Sequence, residues 1–323
     1  MRYQPPFSIT PKIIALIAQI SERVGRLTAY ADHEQALHLR RINRIRSIQG
    51  SLAIEGNTLS EQQITAILDG KRVIAPPREI QEVKNAICAY DKMNQWQACL
   101  ESDLLQAHQI LMAGLIDEYG VYRQGSVGVM KGREVVHIAP PAQRVPALMT
   151  NLLQWVKNSD HHPLIVSAVF HYEFEFIHPF ADGNGRMGRL WQSLILQHWN
   201  PLFADIPVES LVYQFQQGYY RALQQSTEHS DSAHFIQFML ERVLDAVLQA
   251  TPQDSRQVSP QVKNLLDVMI GEMSRAALQH ALGLRDRKSF RERYLKPALA
   301  QGMIEMTHPD KPHSKLQKYR KKG

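Results

Sequence analysis

Cysteine is scarce: Cys88 and Cys99 are the only two in 323 residues. That number cannot build a disulfide framework, and both are expected to be free, buried or partly buried thiols. Long apolar runs are missing too. None approaches the ~18 residues that a membrane-spanning helix needs, so no membrane partner is expected. The opening residues, Met1-Arg2-Tyr3-Gln4-Pro5-Pro6-Phe7, lack the basic-then-apolar layout of a secretory leader. These absences together give a cytoplasmic expectation. Internal repeats are absent, and so is the succession of strands that a parallel sheet requires. What remains is a chain with 44% hydrophobic residues, ample for one large core and a smaller second one.

Apolar spacing reads as helix over most of the length. Helices are expected from Thr10 to Arg26, His33 to Ser51, Glu82 to Cys99, Ser102 to Leu115, Ala147 to Val156 and Pro163 to Ile177. Ser60-Glu61-Gln62-Gln63 has the form of an N-cap opening another, and Pro76-Pro77 interrupts the pattern. The helix from Pro163 to Ile177 carries Leu164, Ile165, Ala168, Val169, Phe170, Phe174 and Ile177, as a core helix should. One segment differs. Val127-Gly128-Val129-Met130 and Glu134-Val135-Val136-His137-Ile138 flank Lys131-Gly132-Arg133, and Pro140-Pro141 follows, which reads as a β-hairpin. The fold class is all-α, a helical bundle with one hairpin, plus a separate C-terminal region.

The residues with most chemistry lie just after the core helix, in His178-Pro179-Phe180-Ala181-Asp182-Gly183-Asn184-Gly185-Arg186-Met187-Gly188-Arg189. Gly183 and Gly185 let the backbone approach a ligand closely. Helical sequence follows through Leu196, so this turn sits at a helix N-terminus, where free N–H groups and the dipole favour phosphate. Arg186 and Arg189 lie three apart, on one face of the first turns, and two guanidiniums can hold neighbouring phosphates. Asp182 offers an oxygen to Mg²⁺, and His178 can take a proton near neutral pH. Taken singly, each feature has an ordinary structural explanation. Their conjunction points to a nucleotide site.

The run resembles the signature of Fic-domain proteins, His-Pro-Phe-x-(Asp/Glu)-Gly-Asn-(Gly/Lys)-Arg-x-x-Arg, at every specified position. Glycine at Gly185 resembles the AMP-transferring branch; the kinase-like toxins of the superfamily usually carry lysine there. The resemblance implies transfer of AMP from ATP to a Ser, Thr or Tyr hydroxyl of a target protein, the chain itself included, with ATP and Mg²⁺ required. It makes His178 the general base and Asp182 the metal ligand. Gly183, Asn184 and Gly185 line an anion hole, with Asn184 near the α-phosphate. Arg186 holds the β-phosphate and Arg189 the γ-phosphate, with Met187 and Gly188 in the same binding stretch. Phe180 anchors the loop in the core.

Upstream, Ser51-Leu52-Ala53-Ile54-Glu55-Gly56-Asn57 places Ser51 and Glu55 four apart on one helix face, with Gly56 suited to a helix end. It resembles the family's inhibitory motif, Ser/Thr-x-x-x-Glu-Gly/Asn, and implies an inhibitory helix over about 42–56. There Glu55 pairs with Arg189 and takes the place of the γ-phosphate, while Ser51 steadies the local hydrogen bonding. An alternative is removal of AMP from a target, with Glu55 orienting a water. The hairpin, about 125–141, resembles the family's flap. Its edge would pair with an extended target segment, with Val136 and His137 as contacts to nucleotide or target. Tyr219-Tyr220 resembles a run that lines the adenosine pocket, with Thr227 standing where some relatives carry Asn.

The expected layout is a helical region over 1–110, a catalytic domain over 111–250, a linker over 251–258 and a last domain over 259–323. From Ser259 onward there are 14 Lys+Arg against 6 Asp+Glu, a net of +8, whereas the rest of the chain sums to −2. Helices at Pro260–Ile270, Ser274–Leu282 and Arg287–Gln301 followed by a wing-like end resemble the winged helix-turn-helix of many bacterial Fic proteins. Its basic side chains Arg287, Lys288, Arg291 and Arg293 suit DNA phosphates. A homodimer or partner surface is the alternative use. A third reading of the whole chain is a DNA-binding regulator whose Fic domain senses rather than transfers.

Overall fold

Prolines start three of the helices that build the bundle, where a missing N–H costs nothing and the fixed φ suits the first turn. Pro11 opens α1 (Pro11–Tyr30), which is followed by α2 (His33–Ile54) and α3 (Glu61–Leu68). Ser60 caps α3 in a reciprocal capping box with Gln63. Pro77 opens α4 (Pro77–Lys92), so Pro76-Pro77 begins a helix, five residues earlier than the expected start at Glu82. α4 also stops short of Cys99, because a 3₁₀ turn at Met93–Gln95 leads into extended backbone at Trp96. α5 (Glu101–Met112) precedes the hairpin of β1 (Gly128–Lys131) and β2 (Glu134–Ile138). Then come α6 (Val145–Asn158), α7 (Pro163–Ile177), α8 (Asn184–Trp199), α9 (Val208–Gln214), α10 (Gln216–His229) and α11 (Ala233–Ala250).

The computed structural model describes residues 3–30, 33–131, 134–250, 260–284, 286–300, 302–308, 314 and 317–321, with side chains described among these outside 29–40, 128–138, 260, 263 and 300. Residues 1–250 form one unit and 251–323 another. No helix of the described residues is long and apolar enough to cross a membrane. Both cysteines are free, but Cys88 is exposed, contrary to the expectation of burial, and Cys99 is half-buried.

In the first unit α7 is apolar nearly all round, with Leu164, Ala168, Val169, Phe170 and Phe174 fully buried, as befits a central helix. It packs on α8, α6 and α11, while α2 packs on α9 and α1 on α11. The α2–α9 crossing is tight because Gly50 lies at it. A Cβ there would stand 2.6 Å from Ser210 N and 2.7 Å from the carbonyl carbon of Glu209. Only glycine allows two backbones that close.

The second unit has its own core of Val262, Leu265, Met269, Leu278, Phe290, Leu295, Ala298, Ile304 and Tyr319. Its elements are α12 (Pro260–Val268), β3 (Met273–Ser274), α13 (Arg275–Ala281), α14 (Arg287–Phe290), a π-helical turn at Arg291–Leu295, α15 (Lys296–Ala300), β4 (Ile304–Met306) and β5 (Lys318–Lys321). The three strands form an antiparallel sheet in the order β3-β5-β4. Ser274, expected inside a helix, is instead the N-cap of α13 and part of β3. The expected linker 251–258, and residues 309–313 of the expected wing, lie outside the described residues.

Candidate functional site

The turn between α7 and α8 is locked by its own side chains. His178 ends α7 in the left-handed region, φ 51°, with its N–H donating to Phe174 O at 2.9 Å. Gly183 is the N-cap of α8 at φ 83°, so the sequence-read helix N-terminus is where the glycines stand. Asn184 holds the loop closed: its Oδ1 accepts from Phe180 N and its Nδ2 donates to Phe180 O, both at 2.9 Å. Both ends of the buried Asn184 amide are therefore used within the turn, which leaves its backbone N–H as the group it can offer an anion at the start of α8. Phe180 is fully buried and its ring stacks on His108, centroids 3.6 Å apart and planes 4° from parallel.

His108 was not legible as a site residue, yet it braces this loop from α5. Its Nε2 donates to Asp182 O at 3.0 Å and its Nδ1 accepts from Gly120 N at 2.9 Å. That pattern needs the neutral ring. Burial, helped by the charge of Arg186, pushes its pKa down to about 4.

Arg189 is buried and reaches back to α2 across 138 residues. Nε donates to Ser51 Oγ at 3.2 Å, and Nη2 donates to Ser51 O at 3.0 Å and to Glu55 Oε1 at 2.6 Å. Burial works against the guanidinium charge, but Glu55, Tyr219 and Glu175 hold its pKa above the ordinary value. Glu55 leans over the first turn of α8, where a Cβ on Gly185 would collide with its Oε1. Gly56, at φ 93°, turns the chain out of α2, and Gln216 Nε2 donates to Ile54 O at 2.9 Å to hold the helix end. Glu175 is a second unforeseen residue. Burial disfavours its charge, yet His171, His178 and Arg189 hold its carboxyl below the usual range.

Arg186 sits in a closed ring of alternating charges. Its Nη2 is 3.3 Å from Asp182 Oδ1 and its Nη1 is 3.6 Å from Glu82 Oε1. Arg78 lies 3.5 Å from each of the same two carboxylates. Glu82 also accepts from Asn57 Nδ2 at 2.9 Å, so it connects Arg186 to the segment that follows Glu55. Asp182 Oδ1 accepts from Gly183 N at 2.6 Å, while its side chain stays 45% exposed. A half-exposed carboxylate at a helix N-terminus fits Mg²⁺, which takes one or two carboxylates and keeps several waters. No group of three or more potential ligands stands together among the described residues.

The hairpin pairs Gly128 with Ile138 and Val129 with His137, with an irregularity before Met130. The side chains of Val136 and His137, and residues Gly132 and Arg133, lie outside the described residues. Its roots are held by Arg123, which is 3% exposed. Arg123 donates to Gly125 O at 2.8 Å and to Pro140 O at 2.6 Å, and also to His178 O at 2.7 Å and Ile177 O at 3.3 Å.

Several residues expected near a nucleotide also have contacts within the fold. Met187 is fully buried in the core. Gly188 abuts His171 and Glu175 of α7. Tyr219 is buried, with its hydroxyl 3.1 Å from His171 Nε2. Thr227 bonds Leu223 O at 3.0 Å and Tyr172 OH at 3.2 Å. Tyr220 keeps 43% of its surface exposed. In the second unit Arg287 and Lys288 of α14, and Arg291 and Arg293 of the following turn, are all exposed. Glu292, between them, pairs with Arg291 at 3.4 Å and Lys296 at 2.9 Å.

The geometry combines a helix N-terminus opened by a glycine turn, two buried guanidiniums answered by carboxylates, and a histidine on a fixed turn. Residues 98–196 match the Fic/DOC family, and residues 260–321 match the C-terminal domain of the Fic-like protein "filamentation induced by cAMP". A crystal structure of a Fic family protein from Desulfovibrio desulfuricans G20 is 53% identical, covers 99% of both chains and superposes with a TM-score of 0.75. Fic-1 from C. elegans, 23% identical over 74% of this chain and 70% of that one, shares the fold with a TM-score of 0.59. Among curated relatives, the protein adenylyltransferase Fic of Drosophila erecta is 32% identical over 248 residues, 71% of this chain and 47% of that protein. That of Nematostella vectensis is 30% identical over 220 residues, 63% of this chain and 48% of that protein. The chain spans about half the length of the curated relatives it matches.

Proposed function

This chain belongs to the Fic family, and from that premise we propose that it is a protein adenylyltransferase held in check by Glu55. In this reading the hydroxyl of a target protein attacks the α-phosphorus of ATP. A new phosphorus–oxygen bond forms to the hydroxyl oxygen, the bond from the α-phosphorus to the bridging oxygen breaks, and pyrophosphate leaves. His178 takes the hydroxyl proton. The free N–H groups at the start of α8 and the side chain of Arg186 meet the phosphates, since such transfer depends chiefly on positioning and charge stabilisation. Asp182 would hold Mg²⁺, which neutralises phosphate charge when bound.

The observation that carries the reading is the 2.6 Å pair between Glu55 and Arg189 above Gly185. A carboxylate held there by a buried guanidinium, at a helix N-terminus, occupies a place made for an anion. Glu55 therefore competes with the terminal phosphate for Arg189 and acts as a brake. The test is labelling from ATP carrying α-³²P, with Glu55→Gly as the parent. Adding His178→Ala should cut labelling by roughly 10²–10⁴-fold, the usual worth of a general base. Labelling unchanged by His178→Ala would refute the assignment. Mg²⁺-dependent loss of AMP from a modified protein, absent in Glu55→Gly, would favour AMP removal instead.

A second reading concerns the second unit alone. After α13, α14 and the π-helical turn that follows it present the four exposed basic side chains on one short stretch, in a segment of net positive charge. We propose that this unit is a winged helix that binds DNA phosphates. Binding that weakens steeply with salt supports it, and a Lys288→Glu, Arg291→Glu double variant with unaltered binding refutes it.

A further inference from the structure

Arg123 is one of the most deeply buried charged side chains in the first unit, and it has no carboxylate partner among the described residues. Burying a guanidinium that way is expensive unless every donor finds an acceptor. Here the acceptors are four backbone carbonyls, and they fall in two groups. Gly125 O and Pro140 O belong to the two roots of the hairpin, just outside β1 and β2. Ile177 O and His178 O belong to the C-terminal end of α7 and the turn beyond it. The backbone adds a fifth link, because Arg123 N donates to Pro179 O at 3.0 Å.

The position explains the unusual pairing. The carbonyls at a helix C-terminus carry partial negative charge and favour a cation. His178 needs such support, because a side chain at φ 51° is disfavoured and persists only where the surroundings impose it. A planar fork with five donors can bridge two chain segments, whereas a lysine ammonium is a point that cannot span them.

We propose that Arg123 is a positioning residue for the transfer reaction. It fixes the hairpin and the His178 turn as one body, so that a segment aligned on the hairpin edge presents its hydroxyl at the imidazole. The catalytic consequence rests on the adenylyltransferase reading; the mechanical coupling does not.

The test uses the full chain carrying Glu55→Gly, with Arg123→Lys and Arg123→Met added separately, and has two arms. In the first, backbone amide exchange is followed by mass spectrometry. In both variants, peptides covering 125–141 and 177–180 should lose protection together while those covering 184–199 keep theirs. In the second arm, self-labelling from α-labelled ATP should fall about 10- to 100-fold, with ATP affinity kept within about twofold, since displacement of a reacting group by about an ångström has that effect. Arg123→Lys should recover little of the loss. Unchanged exchange at the hairpin and the turn would overturn the coupling. Protection lost equally over 184–199, with ATP affinity lost in parallel, would reduce Arg123 to a general stabiliser and overturn the proposal. A Glu55→Gly parent that takes no label overturns the catalytic consequence and the proposed activity together, and the exchange arm then decides the coupling by itself.

Discussion

The carboxylate of Glu55 lies directly over Gly185, bonded at 2.6 Å to Arg189 one turn further along α8. The glycine makes room for the carboxylate, and the arginine holds it. In the proposed reading a terminal phosphate needs the same room and the same arginine, so Glu55 and a nucleotide tail would compete for one place.

The grip on α2 gives a first expectation. Gly50 lets α2 lie against the backbone of Ser210, on the same helix that carries Glu55 toward Arg189. Gly50→Ala should lower stability by about 1–3 kcal/mol through overpacking and raise basal labelling by loosening the pair. Chemical denaturation and the labelling rate check it together. A destabilised variant with wild-type labelling would mean that Glu55 is placed by other contacts.

Asp182 separates charge from turn geometry. Asp182→Asn keeps an oxygen to accept from Gly183 N, so the fold should survive with a change under about 1 kcal/mol. Loss of the carboxylate charge should still abolish Mg²⁺-dependent transfer in the Glu55→Gly background. Chelation of Mg²⁺ should do the same with no shift in melting. Transfer that persists under both treatments contradicts a metal role for Asp182.

His108 makes stability sensitive to acid. Its pKa falls from 6.5 to about 4 on folding, so between these values the unfolded chain binds the additional proton. Its contribution is thus fully present above pH 6.5 and is lost as the pH falls to about 4, amounting to about 3 kcal/mol. Denaturation curves of the wild type and His108→Gln across this interval should differ in slope by that order. Parallel curves would show that His108 titrates normally.

Much of this arrangement is written in residue spacing. Ser51 and Glu55 at i and i+4, and Arg186 and Arg189 at i and i+3, each share a helix face by spacing; that the two faces meet across 134 residues is implied only by the resemblance to the family's inhibitory motif. The core helix from Pro163 to Ile177 is legible because a helix apolar all round has to be central. What escaped has no spacing to betray it. His108, Arg123, Glu82 and Glu175 are single residues whose roles come from tertiary contacts. Asn184, Met187 and Tyr219 sit in or near recognisable motifs, but their side chains serve the turn and the core. The early start of α4 is hidden for a local reason: Pro76-Pro77 reads as an interruption, although Pro77 is a good first residue for a helix.

The most direct measurement supplies purified wild type and Glu55→Gly with Mg²⁺ and ATP labelled at either the α- or the γ-phosphate. Label should be retained on protein from α-labelled ATP only, with Glu55→Gly exceeding wild type by roughly 5- to 150-fold, the range of a typical coupling energy. Equal α-labelling in the two proteins would contradict the brake, and retention of the γ-label would contradict adenylyl transfer itself.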